Sequence, residues 1–592
     1  MTINCLKPRP SLRAAVPILW LTAGFAPAAD RPGALLMRSQ DGVHLETNSL
    51  SLRSGERVRE RGAREIRDRF QAMFSRLSPL PGPLPARSSR GEGAEAEAPP
   101  APRSFVAYPA YAPLYAEITQ RDQKADLPDD REGAIAKATT SDLKAAERAA
   151  KDPTRPVFHL TSPANWINDP NAPIYHHGHY HLFYQHNPYG DDWGHMHWGH
   201  WRSRDLAHWE QLPIALWPSQ ALGEEHCFSG CATLDPSGRP LAFYTSIGHR
   251  EPQCWIATPE DDQLIKWKKF PANPILTQNS PGMKYYDFRD PFVFRHQNRT
   301  YMVHGGNLNQ AKGGQACVSL YEATNDELTK WKFKSILFTD TNSANIECPN
   351  FFPLGDKFVL ITSPHRRCDY FVGTFDAQAG RFIQESRGLV DGTDAFYAPN
   401  GLEDPRGRRI LWGWIRGFKA GRGWNGCMSV PRRLSLRDGR LVQQPALELT
   451  KLRADHHREH NLRLAGASYL VSKAQGDTIE ITATFLLGDA KNAGLRLRRS
   501  TDGQRALEIK YDGVTLDVAG TQLPLPSVSS GKRLMLQVFL DRSVLEVFAD
   551  DGRVCITRVV YAEEQDQGIE LFANGGLAKV ESFDVWQMKS IW

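Results

Sequence analysis

The sequence predicts an all-β protein in which a five-bladed β-propeller is followed by a C-terminal β-sandwich. Residues 155–447 contain many short strand-like runs, such as Tyr180–Tyr184 and Lys357–Ile361, separated by Gly, Pro, Asn and Asp. Residues 461–592 instead alternate apolar and polar side chains, most clearly in Thr478–Thr484, which is typical of half-buried antiparallel sheet. The 15 Trp, 47 Gly and 40 Pro residues of the chain fit many short strands joined by turns.

The central region contains more short strands than a single sandwich needs. Sheets repeated around an axis leave only short edges, and five four-stranded blades of roughly 50 to 60 residues would fill this region. No clear sequence repeat accompanies the strands, so their spacing alone makes a propeller plausible without requiring it. The C-terminal region is most simply two packed sheets, and residues 448–460 are predicted to link the two domains.

The N-terminus has the pattern of a secretory signal peptide. Lys7, Arg9 and Arg13 precede the mostly apolar stretch Ala14–Phe25, and small residues follow it. We therefore expect a signal peptide over residues 1–29 and a secreted or periplasmic protein rather than a cytoplasmic one; an unprocessed N-terminus is the alternative. The apolar stretch is shorter than the ~20 residues that span a bilayer, and no membrane span is expected elsewhere.

Residues 30–154 are predicted to form a partly disordered, partly helical extension. Apolar residues recur at helical spacing in Arg61–Leu77, whereas Ser78–Pro102 has the composition of a flexible linker. Arg131–Lys151 is rich in Ala and Lys and is expected to be a short helix. No motif here carries chemistry, so we expect the extension to act as a spacer or anchor and catalysis to survive removal of residues 30–150.

Charge and cysteine content argue against several classes of protein. The formal net charge is +5, and no dense block of Lys and Arg stands in the aromatic-rich region, which disfavours nucleic acid as a partner. The 9 Cys residues include no C-x-x-C pair, so no zinc ribbon is expected. Nucleotide-binding glycine motifs in a strand–turn–helix setting are also missing from the sequence.

Three carboxylates, Asp169, Asp290 and Glu347, have unusual neighbours. They lie in the segments WINDPN, FRDP and ECPN, each with a Pro within two residues and with aromatic or polar side chains nearby. A carboxylate beside apolar rings is costly unless it is paired or used in chemistry. Any one of the three alone would more simply be a surface acid, because Asp-Pro is common in turns.

Six segments, taken in order, resemble the signature set of glycoside hydrolase family 32, which includes invertases, inulinases, levanases and fructan exohydrolases. They are WINDPN (166–171), FYQHNP (183–188), WGHMHWGH (193–200), FSGCA (228–232), FRDP (288–291) and ECP (347–349). LDRSVLEVFADDG (540–552) is similar to the signature of the family's C-terminal sandwich. The resemblance covers about residues 156–592 and leaves out the N-terminal extension.

The resemblance implies a retaining β-fructofuranosidase that acts on sucrose or fructans in a funnel at the propeller axis. By the same match, Asp169 is the nucleophile, Glu347 is the general acid/base, and Asp290 holds fructose hydroxyls and supports the developing cation. The chain departs from the usual signatures at Ile167, Ala172 and Asn350, where the family usually has Met, Gly, and Asp or Gly. We expect these changes to alter the shape of the substrate-binding subsites and not the activity, because the catalytic residues are intact.

A retaining mechanism needs two carboxyl groups about 5–5.5 Å apart in opposite protonation states. We expect donors such as Asn168 to keep Asp169 ionised, and burial and like charge to raise the pKa of Glu347. Cys348, next to Glu347, is expected to tune this environment as a neutral thiol or simply to pack there.

The family resemblance also suggests a sugar-binding shell of amides, rings and one guanidinium. Amides both donate and accept hydrogen bonds, which suits vicinal hydroxyls, and an Arg adds a charge-assisted donor next to Asp290. For each aromatic residue alone, core packing is the simpler interpretation. The predicted substrate-binding residues are Asn168, Gln185, Trp193, Phe228, Ser229, Arg289, Asp394, Tyr397 and Trp414.

No metal ion or other cofactor is expected. His195, His197 and His200 form an H-x-H-x-x-H pattern that could bind zinc, but the segment resembles a family signature without a metal role. The expected partner is a sucrose or fructan oligosaccharide substrate, and the sequence gives no oligomeric state. The alternatives are a fructanase preferring levan or inulin, a fructosyltransferase, and a non-catalytic fructan-binding protein, which would not need a protonated acid.

Overall fold

The structure is a computed structural model that describes residues 128 and 130–592, apart from 280–284, 309–313, 467 and 526–531. The predicted signal peptide and the predicted helix within residues 61–77 lie outside the described residues. The described strands form seven sheets. Five belong to the propeller and two to the sandwich, so the predicted all-β fold class is confirmed.

The first three blades follow one another along the chain. The first blade has β1 (Asn165–His176), β2 (His179–Asn187), β3 (His197–Ser203) and β4 (Trp209–Leu216). The second has β5 (His226–Leu234), β6 (Pro240–Gly248), β7 (Arg250–Pro259), β8 (Trp267–Lys269) and β9 (Leu276–Thr277). The third has β10 (Tyr285–His296), β11 (Arg299–Leu308), β12 (Gln315–Ala323) and β13 (Trp331–Asp340).

The last two blades complete the ring. The fourth has β14 (Glu347–Leu354), β15 (Lys357–Ser363), β16 (Asp369–Asp376) and β17 (Arg381–Leu389). The fifth has β18 (Phe396–Glu403), β19 (Arg409–Ile415), β21 (Cys427–Met428), β22 (Arg432–Arg437) and β23 (Arg440–Pro445). The short strand β20 (Trp424–Asn425) leaves this blade and pairs in parallel with β1, which ties the last blade to the first.

The sandwich consists of two antiparallel six-stranded sheets. One contains β24 (Arg453–Ala465), β26 (Thr478–Leu486), β31 (Arg533–Asp541), β32 (Val544–Ala549), β33 (Val554–Val559) and β35 (Leu577–Met588). The other contains β25 (Ser468–Gln475), β27 (Asn492–Arg499), β28 (Leu507–Tyr511), β29 (Thr515–Val518), β30 (Thr521–Pro524) and β34 (Gly568–Asn574). Short 3-10 turns lie at Gln220–Leu222, Leu447–Leu452 and Asp550–Gly552.

The segment predicted as a linker, residues 448–460, is mostly ordered structure. It contains most of the 3-10 turn Leu447–Leu452 and the first part of β24. β24 is the edge strand of its sheet, and most of its side chains are exposed or half-buried. The strand therefore carries many charged residues and lacks the apolar alternation by which a strand is recognised.

A network of fully buried charges joins the propeller to the sandwich. Arg432 forms ion pairs with Asp391 at 3.1 Å and with Glu546 at 2.5 Å. His159 contacts Asp541 at 2.8 Å and Glu546 at 3.1 Å. Burial acts to lower the pKa of His159, but its hydrogen bonds to the two carboxylates outweigh burial and raise that pKa to about 9. Because buried charges destabilise a fold unless they are paired, these five side chains fix how the two domains meet.

The extension contributes one helix, α1 (Arg131–Ala150), as the sequence predicts. Asp130 caps its N-terminus by accepting a hydrogen bond from the Gly133 amide at 2.7 Å. The helix packs against β1 and β4 of the first blade, and its inward face buries three alanines and one carboxylate: Ala134, Ala138, Asp142 and Ala149. This part of the extension is therefore an integral layer on the first blade rather than a spacer. None of the described helices is long and apolar enough to span a membrane.

Candidate active site

The first strands of the five blades, β1, β5, β10, β14 and β18, contact one another in a closed ring around the propeller axis. The pairing of each with the next strand of its blade is interrupted by a β-bulge or similar irregularity, at two places on β1 and β10 and at one on the others. One interruption in each blade falls at 167–170, 227–230, 289–292, 347–350 or 397–400. Each coincides with a sequence motif, so the bulges lie where the predicted site residues are.

Proline explains four of the five interruptions. Pro170, Pro291, Pro349 and Pro399 lie within them, and a proline has no backbone N–H to continue a strand ladder. The backbone at Asp290 is also left-handed, with φ of 57°. Bulges re-aim side chains, and here they direct residues from several strands toward the axis.

Asp169, on β1, is half-buried and lies among hydrogen-bond donors. Ser229 donates to its Oδ2 at 2.5 Å, Asn168 to its Oδ1 at 3.1 Å and Gln185 to its Oδ2 at 3.4 Å. Burial is the largest influence and raises the pKa of Asp169, with a further increase from the charge of Glu347, whereas Ser229 and Asn168 act to lower it. The expected donors are present, but in the substrate-free site they do not outweigh burial.

Asp290, on β10, is joined to Asp169 by Cys348. The Cys348 amide donates to Asp290 Oδ2 at 2.9 Å, and the Cys348 thiol lies 3.5 Å from the same oxygen and 3.4 Å from Asp169 Oδ2. Burial raises the pKa of the thiol, which stays neutral and donates. Burial and the charges of Glu347 and Asp169 raise the pKa of Asp290 to about 7, against the opposing effect of Arg289.

Glu347, at the start of β14, is surrounded by donors and cations. Arg289 donates to its Oε1 at 3.1 Å, Tyr397 donates to its Oε2 at 2.8 Å, and His365 Nδ1 lies 3.7 Å from Oε2. Burial acts to raise the pKa of Glu347, but His365, Arg289 and Tyr397 outweigh it and lower that pKa. The expectation of a raised pKa was therefore wrong for the substrate-free site.

Arg289 explains part of this difference. The sequence places it beside Asp290, but its guanidinium pairs with Asp287 at 3.0 Å and with Glu347 at 3.1 Å. The positive charge therefore sits mainly on the Glu347 side of the cluster. His365 was not predicted, since the turn that contains it has no motif linking it to Glu347.

The predicted aromatic residues line the same region. Trp414 and Tyr397 of the fifth blade have ring centroids 6.5 Å apart, and Trp193 meets Phe228 edge-on at 5.8 Å. Trp166, which was not predicted as a site residue, lies 5.5 Å from Trp414 and donates to Asn168 Oδ1 at 2.8 Å.

Asp394 is placed differently from the rest of the predicted shell. Its side chain is 51% exposed and pairs with Arg416 at 3.5 Å, and the Arg416 guanidinium in turn lies 4.2 Å from the centre of the Tyr397 ring. Through its carboxylate and its backbone carbonyl, Asp394 thus contacts the guanidinium next to Tyr397.

The histidine-rich segments lie mainly inside the first blade. His181 and His200 share a hydrogen bond at 3.0 Å, and burial lowers the pKa of both rings, that of His181 to about 3. Within the described ranges, no group of three or more His, Cys, Asp or Glu side chains is arranged to hold a metal ion.

Comparison with known proteins places the chain among carbohydrate-cleaving enzymes. Residues 159–445 match the model of the glycosyl hydrolases family 32 N-terminal domain, and residues 448–587 match that of the family 32 C-terminal domain. The chain is 33% identical over 509 residues to sucrose-6-phosphate hydrolase of Zymomonas mobilis, covering 77% of this chain and 96% of that protein. It is 32% identical over 499 residues to levanase of Bacillus subtilis, covering 74% and 71% of the two chains.

A solved structure shares the architecture. Fructan 1-exohydrolase IIa from Cichorium intybus, crystallised with 1-kestose, aligns with a TM-score of 0.68 at 25% identity. The alignment covers 74% of this chain and 98% of that one.

Proposed function

Because this chain belongs to glycosyl hydrolase family 32 and is a glycoside hydrolase, we propose that it releases terminal β-D-fructofuranosyl residues from sucrose or fructans with retention of configuration. The observation that carries the proposal is the convergence of Asp169, Asp290 and Glu347 from three separate blades into one cluster, in which Asp290 is buried and the other two are half-buried. Bringing three acids together at a propeller axis does not stabilise the fold, since each carboxylate makes it more costly to ionise the others.

In the proposed first step, an Asp169 oxygen attacks the anomeric carbon of the fructosyl unit. The bond to the glycosidic oxygen breaks, its electron pair stays on that oxygen, and Glu347 supplies the proton that neutralises it. In the second step, water attacks the same carbon as Glu347 takes one of its protons, and the bond to Asp169 breaks. Asp290 accepts hydrogen bonds from fructose hydroxyls and stabilises the positive charge that develops on the ring.

In the substrate-free site, the proton affinities of the three acids differ from those that cleavage requires. Burial favours protonation of Asp290 and Asp169, whereas Arg289, His365 and Tyr397 favour an ionised Glu347. A bound fructosyl ring donates hydroxyl hydrogen bonds to Asp290, which lowers its pKa and transfers the proton to Glu347. Substrate binding thereby sets the protonation states that cleavage requires.

The test is product analysis with the purified full chain on sucrose, sucrose 6-phosphate, inulin and levan. Release of fructose from sucrose supports the proposed activity. Release from inulin or levan alone identifies a fructanase, and release from sucrose 6-phosphate alone identifies an enzyme with the activity named for the Zymomonas mobilis relative. Longer oligosaccharides without free fructose indicate a fructosyltransferase, and no turnover of any substrate overturns the proposal.

We also propose that the protein is exported. The support is the basic and apolar pattern that precedes residue 30, followed by small residues suited to signal peptidase. N-terminal sequencing of the protein made in its own cell tests this. A mature chain beginning near residue 30 in the medium or periplasm supports export, and an intact N-terminus in the cytoplasm overturns it.

A further inference from the structure

Asp142 on α1 lies behind the strand that carries Asp169. The helix precedes the residues matched by the family model, which begin at 159. The Asp142 residue is only 7% exposed. Its Oδ1 accepts from Asn165 Nδ2 at 2.8 Å, and its Oδ2 lies 2.8 Å from His186 Nε2. Both partners belong to the first blade, on β1 and β2.

His186 connects this carboxylate to the backbone of the nucleophile segment. Its Nδ1 lies 2.8 Å from the carbonyl oxygen of Trp166. A carbonyl oxygen only accepts, so Nδ1 carries a proton and donates to Trp166, while Nε2 hydrogen-bonds to the Asp142 carboxylate. The imidazole is thereby held between the helix and β1, three residues before Asp169.

From Trp166 the hydrogen bonds continue to the nucleophile itself. The Trp166 indole donates to Asn168 Oδ1 at 2.8 Å, and Asn168 Nδ2 donates to Asp169 Oδ1 at 3.1 Å. The first bond fixes which way the Asn168 amide points, so that its N–H₂ rather than its oxygen faces Asp169. Two sets of hydrogen bonds, joined through the Trp166 residue itself, therefore connect α1 to the attacking carboxylate.

The same helix also supports the junction where the propeller ring closes. The backbone N–H of Asn165 donates to the carbonyl oxygen of Gly423 at 2.7 Å, beside the parallel pairing of β1 with β20. Arg148 of α1 donates to the carbonyl of Gly421, and Ala149 packs in one apolar cluster with Trp424. The helix thus contacts both sides of the seam at which the nucleophile strand meets the last blade.

We propose that Asp142 is a positioning residue for the nucleophile, acting through His186 and Asn165. This proposal rests on the proposed role of Asp169. Loss of the Asp142 carboxylate would leave two buried donors without their acceptor and free the Trp166–Asp169 segment to shift. A displacement of about 1 Å at a reacting group costs on the order of 10²-fold in rate.

The test compares Asp142→Ala and Asp142→Asn with Glu147→Ala in the full chain. Glu147 is an exposed carboxylate on the same helix, so its variant controls for general effects on α1. We expect kcat to fall by about tenfold to a hundredfold in Asp142→Ala, and less in Asp142→Asn, which keeps one acceptor oxygen. KM should change little, and Glu147→Ala should behave as wild type.

A readout specific to the nucleophile separates positioning from loss of fold. The fall in kcat should be similar for sucrose and for an activated aryl fructoside, because a misplaced nucleophile hinders attack on both. Thermal unfolding and circular dichroism identify the folded variants. If Asp142→Ala does not fold, the kcat values of Asp142→Asn and His186→Gln test the positioning role instead. Coupling is tested by the double variant Asp142→Asn/His186→Gln, which should lose less than the product of the single losses.

Several results would overturn the positioning role. These are a folded Asp142 variant with wild-type kcat, a loss confined to KM, and an equal loss in Glu147→Ala. Asp169→Asn, measured alongside, keeps the two proposals distinct. If Asp169→Asn is inactive while the Asp142 variants are fully active, the positioning proposal fails and the proposed nucleophile stands. If Asp169→Asn is active, the proposed mechanism itself fails.

Discussion

The hydroxyl of Tyr397 donates a hydrogen bond to Oε2 of Glu347 across 2.8 Å. The two residues come from the fifth and fourth blades, so neighbouring blades together set the proton affinity of the proposed acid/base. Because the bond favours the ionised carboxylate, it lowers the pKa of Glu347.

Replacing Tyr397 with Phe should raise the pKa of Glu347. A hydrogen bond to a charged group contributes about 1.5–3 kcal/mol, and this stabilisation of the ionised carboxylate is lost with the hydroxyl. Glu347 acts as a proton donor in the substrate complex, so the alkaline limb of the pH dependence of kcat, which reports that complex, should move upward. Tyr511→Phe removes a buried hydroxyl in the sandwich and should leave the profile unchanged. An unchanged limb in Tyr397→Phe would show that Glu347 does not govern it.

Asp169→Asn should abolish turnover while the fold is retained. The amide is nearly isosteric with the carboxylate but cannot form the fructosyl ester. The matched control is Asp394→Asn, which makes the same change at the half-exposed partner of Arg416 and should keep most of the activity. The activity of both variants is measured as the steady-state rate of sucrose hydrolysis. An Asp169→Asn enzyme with more than about one-hundredth of the wild-type kcat would refute the assignment of Asp169 as the nucleophile.

Glu347→Ala should lose activity in a way that depends on the leaving group. Loss of a general acid lowers the rate about 10²–10⁴-fold. The rate of sucrose cleavage should fall more than that of an activated aryl fructoside, whose leaving group needs no proton. The fructosyl-enzyme should then accumulate on Asp169, because its hydrolysis also needs Glu347. Azide attacks without a general base and should restore turnover. Equal losses on both substrates, with neither trapped ester nor azide rescue, would exclude Glu347 as the acid/base.

Stability should decline at alkaline pH through His159. The pKa of His159 is raised in the folded state from 6.5 to about 9. The protonated imidazole therefore stabilises the fold fully below pH 6.5, and this stabilisation is lost as the pH rises through about 9. A shift of this size corresponds to about 3 kcal/mol. The midpoint of thermal unfolding should therefore fall between pH 7 and pH 10, and His159→Asn should flatten that dependence. The exposed His460→Asn is the control, and an equally flat profile in that variant would contradict the assignment.

The fold class and the carboxylate cluster could be predicted because both depend on local sequence. Short strands and turns mark the blades, and Asp169, Asp290 and Glu347 each carry their own motif. The family models cover the same residues, which confirms the resemblance. The bulges at Pro170, Pro291 and Pro349 also follow from the residues themselves.

Contacts between blades could not be predicted in the same way. The approach of Arg289 to Glu347 depends on how the third and fourth blades pack, and no spacing along the chain encodes it. His365 reaches Glu347 within the fourth blade, because it follows Ser363, which pairs with Glu347 across β14 and β15. Asp394 is only three residues from Tyr397, yet it lies before β18 and turns toward Arg416 rather than the cluster. The role of Asp142 could not be predicted because a single buried acid in an Ala-rich helix leaves no periodic signal.

The carboxylate of Asp541 accepts hydrogen bonds from the backbone amides of Val157, Phe158 and His159 at 2.7, 2.8 and 2.9 Å. The lead-in to β1 is thus anchored by a residue 382 positions after His159, and β1 itself is paired with β20 near residue 424. During synthesis the ribosome must release most of the polypeptide before these partners exist. Contacts of such long sequence separation form late and slow the folding of a chain. The strand bearing Asp169 is made before the residues that hold it, so its lead-in and its pairing with β20 are completed only after residues 424 and 541 have been synthesised.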